Sequence, residues 1–196
     1  MTQALEKQRV SFVPSKNGLA ASHHEGSLKL TDITVQTRMG VRGRKAPSFL
    51  EQEGVALPIK PNTLTVLPQG VLVLRLSQTE HWLVDISGTA SDGLEALNVA
   101  AQHQAELYPL YCQHSHAAFT LKGAPLADCL AKICGVDLSE GVFPMGSVAQ
   151  TSVARVNAII AKYEWQGEVA FLILSDVASS HYLWDAIVDA KAEFVD

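Results

Sequence analysis

Cys112, His114 and His116 form the set of side chains in this sequence that most resembles a metal site. Cysteine and histidine are the ligands that zinc prefers in proteins. If CQHSH belongs to a β-strand, alternation places all three side chains on one face of the sheet. A straight strand spreads its ligands along a line, whereas a tetrahedral zinc site needs ligands that converge. We therefore expect these residues to form the edge of a strand and to bind no zinc.

Two arginines within apolar segments indicate a second kind of chemistry, the binding of an anion. Arg75 ends the run VLVLR, and alternation along SVARVNAII (152–160) places Arg155 and Asn157 on one face of a strand. A guanidinium inside a sheet needs acceptors, because an unpaired buried charge is costly. The arginines can pair with carboxylates in the core, or they can line a cleft with Asn157 and bind a cofactor. Asp85 can supply such a carboxylate or act as a general base.

Motifs of well-known catalytic sites are absent from the sequence. It contains no GxGxxG or Walker sequence, which would cradle phosphates, and no GxSxG or HExxH. The stretch GVRG (40–43) resembles the GxxG loop of RNA-binding KH domains. A net charge of -5 and a pI near 5.8 argue against nucleic acid as a partner. We expect no catalytic residue in this chain.

The elements that would position these residues occur twice. Two phrases of the sequence, VRGRKAPSFL (41–50) and LKGAPLADCL (121–130), have the same pattern. In each, a short run that ends in Gly is followed by a helix-like stretch that contains Ala and Pro. Around each phrase the pattern predicts a strand, a helix, two further strands and a second helix. This is the split β-α-β order of ferredoxin-like folds. The predicted fold is α+β and internally duplicated.

The duplication also predicts how the chain is divided. Residues 1–27 are polar and lack periodicity, so we expect a flexible N-terminal arm. Residues 28–196 then form one globular domain of two pseudo-symmetric halves, about 30–112 and 113–196, with a cleft between them. The two arginines are as far apart in sequence as the two phrases, and we expect them at equivalent positions.

Composition is typical of a globular protein without a membrane span. Hydrophobic residues make up 47% of the 196 positions and charged residues 18%, which favours a folded core over disorder. No apolar run approaches about 20 residues, and the N-terminus lacks the apolar region of a signal peptide. Three cysteines without CxxC spacing indicate reduced core thiols. These features predict a cytoplasmic protein.

Charge is divided unevenly along the chain. Through Arg75 it carries ten Lys or Arg and five Asp or Glu, and from Leu76 it carries five and fifteen. Charge of one sign steers association with an oppositely charged partner. We interpret one basic cluster as a partner interface, and the alternative is an ordinary solvated surface. The cluster consists of Arg38, Arg42, Arg44 and Lys45.

Six longer segments, taken in order, resemble the gamma subunit of heterotetrameric sarcosine oxidases. They start near Val35 and continue to the C-terminal region: RMGVRGRKAPSFL, LPIKPNTL, VLVLRLSQTEHWLVDIS, LKGAPLADCLAKICGVDL, FPMGSVAQTSVARVNAII and HYLWDAIVDA. The wider superfamily to which they are similar is the folate-binding domain of the glycine-cleavage T-protein. Its duplicated α+β architecture agrees with the internal repeat.

The resemblance implies a role in a complex that oxidises sarcosine to glycine and passes the methyl carbon to tetrahydrofolate. In that family other subunits hold FAD, FMN, NAD and tetrahydrofolate, and the gamma chain is not known for a catalytic residue. The resemblance thus implies a chain that binds no cofactor itself and has alpha, beta and delta subunits as partners. Two other interpretations remain open. One is a stand-alone folate-dependent protein similar to aminomethyltransferases, and the other is a non-catalytic interaction domain of another oxidase complex.

Overall fold

The helices and strands of the described residues lie between Ser22 and Phe194. The computed structural model describes residues 9–13 and 21–194. The strands in this part are β1 (Ser22–Glu25), β2 (Leu28–Asp32), β3 (Arg38–Arg42), β4 (Thr63–Leu67), β5 (Val71–Arg75), β6 (Glu80–Asp85), β7 (Tyr108–Leu110), β8 (His116–Gly123), β9 (Val148–Val153), β10 (Val156–Trp165) and β11 (Glu168–Asp176). The α-helices are α1 (Ala46–Gln52), α2 (Ser91–Gln102), α3 (Cys112–Ser115), α4 (Leu126–Ala131) and α5 (Ser180–Lys191).

The strands form two antiparallel sheets whose strand orders match. The five-stranded sheet runs β4-β5-β6-β3-β7, and the six-stranded sheet runs β9-β10-β11-β8-β2-β1. Strands β3 to β6 therefore correspond to β8 to β11, and α1 and α2 correspond to α4 and α5. The predicted α+β class and internal duplication are confirmed.

One strand, β2, lies far in sequence from strands β8 to β11 of its sheet. In the five-stranded sheet β7 follows α2 and pairs with β3. Its counterpart β2 instead precedes the whole first half in sequence and pairs with β8. The predicted boundary between residues 112 and 113 therefore does not separate the two sheets.

The N-terminal arm differs from the prediction. Ser22–Glu25 form β1, which pairs with β2, so residues 1–27 are not all arm. Val13 is buried in the core of the six-stranded sheet. Residues 1–8 and 14–20 of the predicted arm lie outside the described residues.

Each four-strand unit, β3 to β6 and β8 to β11, contains one strand more than the sequence pattern predicts. The segment 152–160, predicted as one strand, spans the end of β9, a two-residue turn and the start of β10. The turn residues Ala154 and Arg155 have φ of 48° and 69°. This is the backbone of a type I′ turn, which Asn and Gly normally supply. Arg155 therefore occupies a turn whereas Arg75 ends β5, and the predicted equivalence of the two arginines is wrong.

The two sheets pack face to face, and helices cover their outer faces. The layer between the sheets is apolar and includes Leu72 and Leu74 from one sheet and Leu172 and Leu174 from the other. Helices α1 and α2 cover the five-stranded sheet, and α4 and α5 cover the six-stranded sheet. The predicted central cleft is thus a packed core. No helix within the described ranges is long and apolar enough to cross a membrane.

Gly43 and Gly123 occupy the same point in the two halves, just after β3 and at the end of β8. Their φ values are 142° and 110°. A Cβ at Gly43 would lie 2.2 Å from the carbonyl oxygen of Glu106, and one at Gly123 would lie 2.0 Å from that of Ser27. These two oxygens belong to residues just before β7 and β2, which are equivalent strands in the two halves. The glycines repeated in sequence therefore make room for the same strand contact in both halves.

We expect Gly43→Ala and Gly123→Ala each to lower the free energy of unfolding by at least about 2 kcal/mol, because both add backbone strain and a steric clash. Urea denaturation measures the change. Gly135→Ala is the matched control, since a Cβ there meets nothing within 4 Å, and it should change stability by less than about 1 kcal/mol. Equal stability of the three variants would show that the close approach is not required.

Candidate functional site

Arg38, at the start of β3, is buried and binds main-chain carbonyl groups from two segments. Its guanidinium donates to Thr34 at 3.0 Å, to Cys112 at 3.1 Å, to Gln113 at 3.0 Å and to His116. Its own backbone N–H donates to the amide oxygen of Gln113 at 2.7 Å. Burial lowers the pKa of Arg38 to about 10, so the side chain remains a cation at neutral pH. It ties β3 to α3 and the start of β8.

The predicted basic interface is therefore wrong for Arg38, which is only 3% exposed. Arg42 is exposed but forms an ion pair with Glu80 on the neighbouring strand. Arg44 and Lys45 are exposed before α1, and no carboxylate of the described residues pairs with either. The sequence signal that drew attention to Arg75, an arginine within an apolar strand, is equally present in TRMGV around Arg38.

A cavity of about 290 Å³ opens beside Arg38. Arg9 enters its wall from the N-terminal segment and donates to Thr37 at 2.7 Å and to Ser91 at 3.3 Å. Arg9 also forms an ion pair with Glu95 of α2. The wall thus offers guanidinium donors and one carboxylate, which suits a small polar molecule.

Cys112, His114 and His116 do not share a strand face. Residues 112–115 form the single turn of α3, and His116 begins β8, where its ring meets Trp82 edge-on with centroids 4.8 Å apart. Burial raises the pKa of the Cys112 thiol to about 12, so it is protonated at neutral pH and is a poor metal ligand or nucleophile. No three His, Cys, Asp or Glu side chains of the described residues form a metal site. That the chain binds no zinc stays a prediction.

Arg75, Arg155 and Asn157 lie in three different places. Arg75 donates to the carbonyl oxygens of Pro58 at 3.0 Å and Ile59 at 2.9 Å. Arg155 is exposed beside a cavity of about 570 Å³ between α4 and α5. Asn157 is exposed beside a separate cavity of about 540 Å³. The three residues therefore do not line one cleft.

Asp85 has neither of its two predicted roles. Its carboxylate accepts hydrogen bonds from the backbone N–H groups of Ser87, Gly88 and Ala90 and from the Ser87 hydroxyl, at 2.8 to 2.9 Å. These contacts fix the turn from β6 into α2, so the carboxylate is not available as a base. Asp176 has the matching place at the end of β11, where it accepts a backbone N–H two residues later at 2.8 Å.

His81 on β6 is a buried polar residue that sequence analysis does not single out. It lies between Val41 and Arg75 in the neighbouring strands and is fully buried. Neither ring nitrogen has a hydrogen-bond partner among the described residues, and the same holds for Nε of Arg75. Burial, reinforced by the charge of Arg75, lowers the pKa of His81 to about 4. One sequence signal indicates this burial. In HWLVD, His81 is two residues from Leu83, so alternation places both side chains on the same face of β6, which packs in the core.

Family and sequence comparisons agree with this fold. Residues 18–195 match the family described as GCVT N-terminal domain. An aminomethyltransferase of Saccharopolyspora erythraea is 24% identical over 193 residues, a region that covers 90% of this chain and 51% of that protein. The chain spans about half the length of the curated relative that it matches.

Two solved structures share the fold. A chain of the heterotetrameric sarcosine oxidase from Corynebacterium sp. U-96, in complex with pyrrole 2-carboxylate, has a TM-score of 0.69 at 23% identity, and the match covers 89% of this chain and 88% of that chain. The glycine cleavage system aminomethyltransferase T from Bartonella henselae has a TM-score of 0.63 at 18% identity, with coverage of 88% and 48%. The predicted likeness to the T-protein fold is confirmed.

We expect Arg38→Lys to lower the free energy of unfolding by about 3 kcal/mol, because a lysine cannot reach several carbonyls with a planar fork and leaves buried acceptors unpaired. At about 2–4 °C per kcal/mol, the Tm should fall by about 6–12 °C. Thermal unfolding followed by circular dichroism measures the shift. Arg42→Lys, exposed on the same strand, is the matched control and should cost less than about 1 kcal/mol. Similar Tm values for both variants would contradict the structural role of Arg38.

The buried imidazole of His81 makes stability depend on pH. Its pKa of about 4 in the folded chain is below its ordinary value of 6.5, so protonation favours the unfolded chain. The stabilisation is complete above about pH 6.5 and is lost as the pH falls toward about 4, by up to about 3 kcal/mol at about 1.36 kcal/mol per pKa unit. Urea denaturation between these pH values measures the loss.

The variant His81→Leu should flatten this pH dependence, because the titrating group is removed. Burial also lowers the pKa of His116, so a contribution of the same sign should remain. His103→Leu, at an exposed site after α2, should keep the wild-type slope. If His81→Leu also keeps that slope, another group is responsible for it.

Proposed function

The chain belongs to the GCVT N-terminal domain family, and from that premise we propose that it is the gamma subunit of a heterotetrameric sarcosine oxidase. The observation that carries the proposal is the structural match with a TM-score of 0.69, which covers nearly all of both chains. The matched aminomethyltransferases extend over about twice the matched length. In this role the chain supports the oxidative demethylation of sarcosine to glycine within the complex.

The contribution of this chain is one of assembly. Arg38 and Asp85 are fully engaged within the fold, and Arg75, Arg155 and Asn157 lie apart, so no folate-dependent step follows from them. In this proposal FAD, FMN, NAD and tetrahydrofolate are held by other subunits. The partners are the alpha, beta and delta subunits, and the complex is cytoplasmic. The contacts come from exposed surfaces, of which Arg44 and Lys45 are the free part of the basic cluster.

A second candidate function is a folate-dependent protein similar to aminomethyltransferases. The relative from Saccharopolyspora erythraea favours it, because it is aligned with 90% of this chain. On this interpretation the isolated chain binds tetrahydrofolate, and the candidate site is the polar cavity that Arg9 and Glu95 line.

Co-expression with the alpha, beta and delta chains of a sarcosine oxidase from the same source tests the proposal. We expect this chain to co-elute with them in one complex that shows flavin absorbance, whereas the isolated chain is colourless. Wild-type chain that elutes alone would contradict the subunit role. Calorimetric titration of the isolated chain with tetrahydrofolate separates the second candidate, since saturable binding supports an aminomethyltransferase-like protein and no heat is expected of the subunit.

A further inference from the structure

The turn between β9 and β10 holds an arginine in a backbone conformation that arginine rarely adopts. Ala154 and Arg155 have φ of 48° and 69°, which is unfavourable for residues other than Gly, Asn and Asp. In the matching turn of the first half, between β4 and β5, Gly70 takes the left-handed position with φ of 79°. Backbone geometry therefore does not account for an arginine at this turn. Strained residues that are retained in a fold are often found at binding sites.

Arg155 lines the cavity of about 570 Å³ between α4 and α5. A cavity of about 460 Å³ occupies the matching place in the first half, between α1 and α2. Among the described residues, Glu53 is the one charged residue in the wall of the first-half cavity, whereas Lys132, Arg155 and Asp189 all line the other. Since the two halves share one arrangement of strands and helices, packing does not require these charges.

The three charges differ in what they contact. The ammonium group of Lys132 donates to the carbonyl oxygen of Ala190 at 3.2 Å and pairs with Glu193 at 2.6 Å. The side chains of Arg155 and Asp189 form no hydrogen bond or ion pair with any described residue. A single exposed charge is commonly just solvated. Here, however, two unpaired charges of opposite sign border the same concave space.

The two unpaired charges select the kind of ligand that the cavity suits. Arg155 reaches the cavity from the turn, and Asp189 reaches it from α5. A simple carboxylate would be attracted by the guanidinium but repelled by Asp189, and a simple amine would meet the reverse. A molecule that carries both charges is attracted by both groups. Guanidinium groups bind carboxylates through two parallel hydrogen bonds.

We propose that the groove between α4 and α5 binds a small free amino acid in its zwitterionic form. Arg155 binds the α-carboxylate, and Asp189 binds the α-ammonium group. Tyr182, Ala154 and Ala186 border the same cavity and supply apolar contacts. The inference goes beyond the proposed function, because every residue of the site belongs to this chain and no partner subunit is needed.

Titration of the full, isotopically labelled chain with glycine tests the site, with NMR chemical shifts as the readout. Glycine carries both charges, whereas acetate and methylamine carry one each. We expect saturable shifts at the amides of Arg155 and Ala186 with glycine. Acetate and methylamine should bind at least about 10-fold more weakly, because each lacks one charged contact. The inference is overturned if glycine gives no saturable shift there, or if acetate binds as tightly as glycine.

Asp189→Asn should affect two probes in opposite directions. It should weaken glycine binding by at least about 10-fold, because the ammonium group loses its partner. It should also strengthen acetate binding, because the repulsion is removed. The matched control is Asp185→Asn, on the same helix but facing His181 outside the cavity, and it should leave both affinities unchanged. Weaker binding of both probes to Asp189→Asn would show that Asp189 only supports the fold.

Arg155→Gly separates binding from folding. Since the variant places glycine at a left-handed position, its Tm should rise by about 2–4 °C. Its Kd for glycine should nevertheless weaken by at least about 10-fold, because the guanidinium is lost. Arg44→Gln, at an exposed arginine outside the cavity, should keep the wild-type Tm and Kd. If Arg155→Gly binds glycine as tightly as wild type, Arg155 is not part of a binding site and the inference fails.

Discussion

A single buried cation holds together the point at which the two halves of the chain meet. Arg38 lies at the start of β3, yet most of its acceptors belong to α3 and the first residue of β8, the connection into the second half. Without these donors the carbonyl groups of the connection would be buried unpaired, which is costly. A second attachment, the backbone bonds between β4 and residues 146–148, lies at the other edge of the five-stranded sheet. The relative position of the halves is therefore fixed near both edges.

This arrangement uses three of the charged side chains singled out in the sequence, Arg38, Arg75 and Asp85, for structure. Arg38 binds carbonyl groups of the connection between the halves, Arg75 binds carbonyl groups of the loop before β4, and Asp85 orders the turn into α2. These are the residues whose types could otherwise have bound an anion or moved a proton.

Sequence periodicity and the repeated phrase were enough to predict the class of fold and its duplication. They could not show β4 or β9, because prolines flank the first and a turn without Asn or Gly ends the second. The same turn misplaced Arg155, since Ala154 and Arg155 continue the alternation of an ordinary strand. The candidate site was hardly predictable. The burial of Arg38 depends on α3, a single helical turn whose sequence resembles a strand.

The position of β2, which precedes the first half in sequence but joins the sheet of the second, has a consequence for the evolution of the fold. Ser27, in the turn before β2, donates to the carbonyl oxygen of Phe194 at 3.4 Å, so β2 starts next to the segment that follows α5. If the chain were cut between β2 and β3, and Phe194 were joined to β2, the order of elements would change. The chain would then consist of two tandem units with the same order of strands and helices, one that ends in β7 and one that ends in β2. The present order is what a circular permutation of such a tandem gene would produce. On this view, β2 is the displaced last strand of an ancestral repeat.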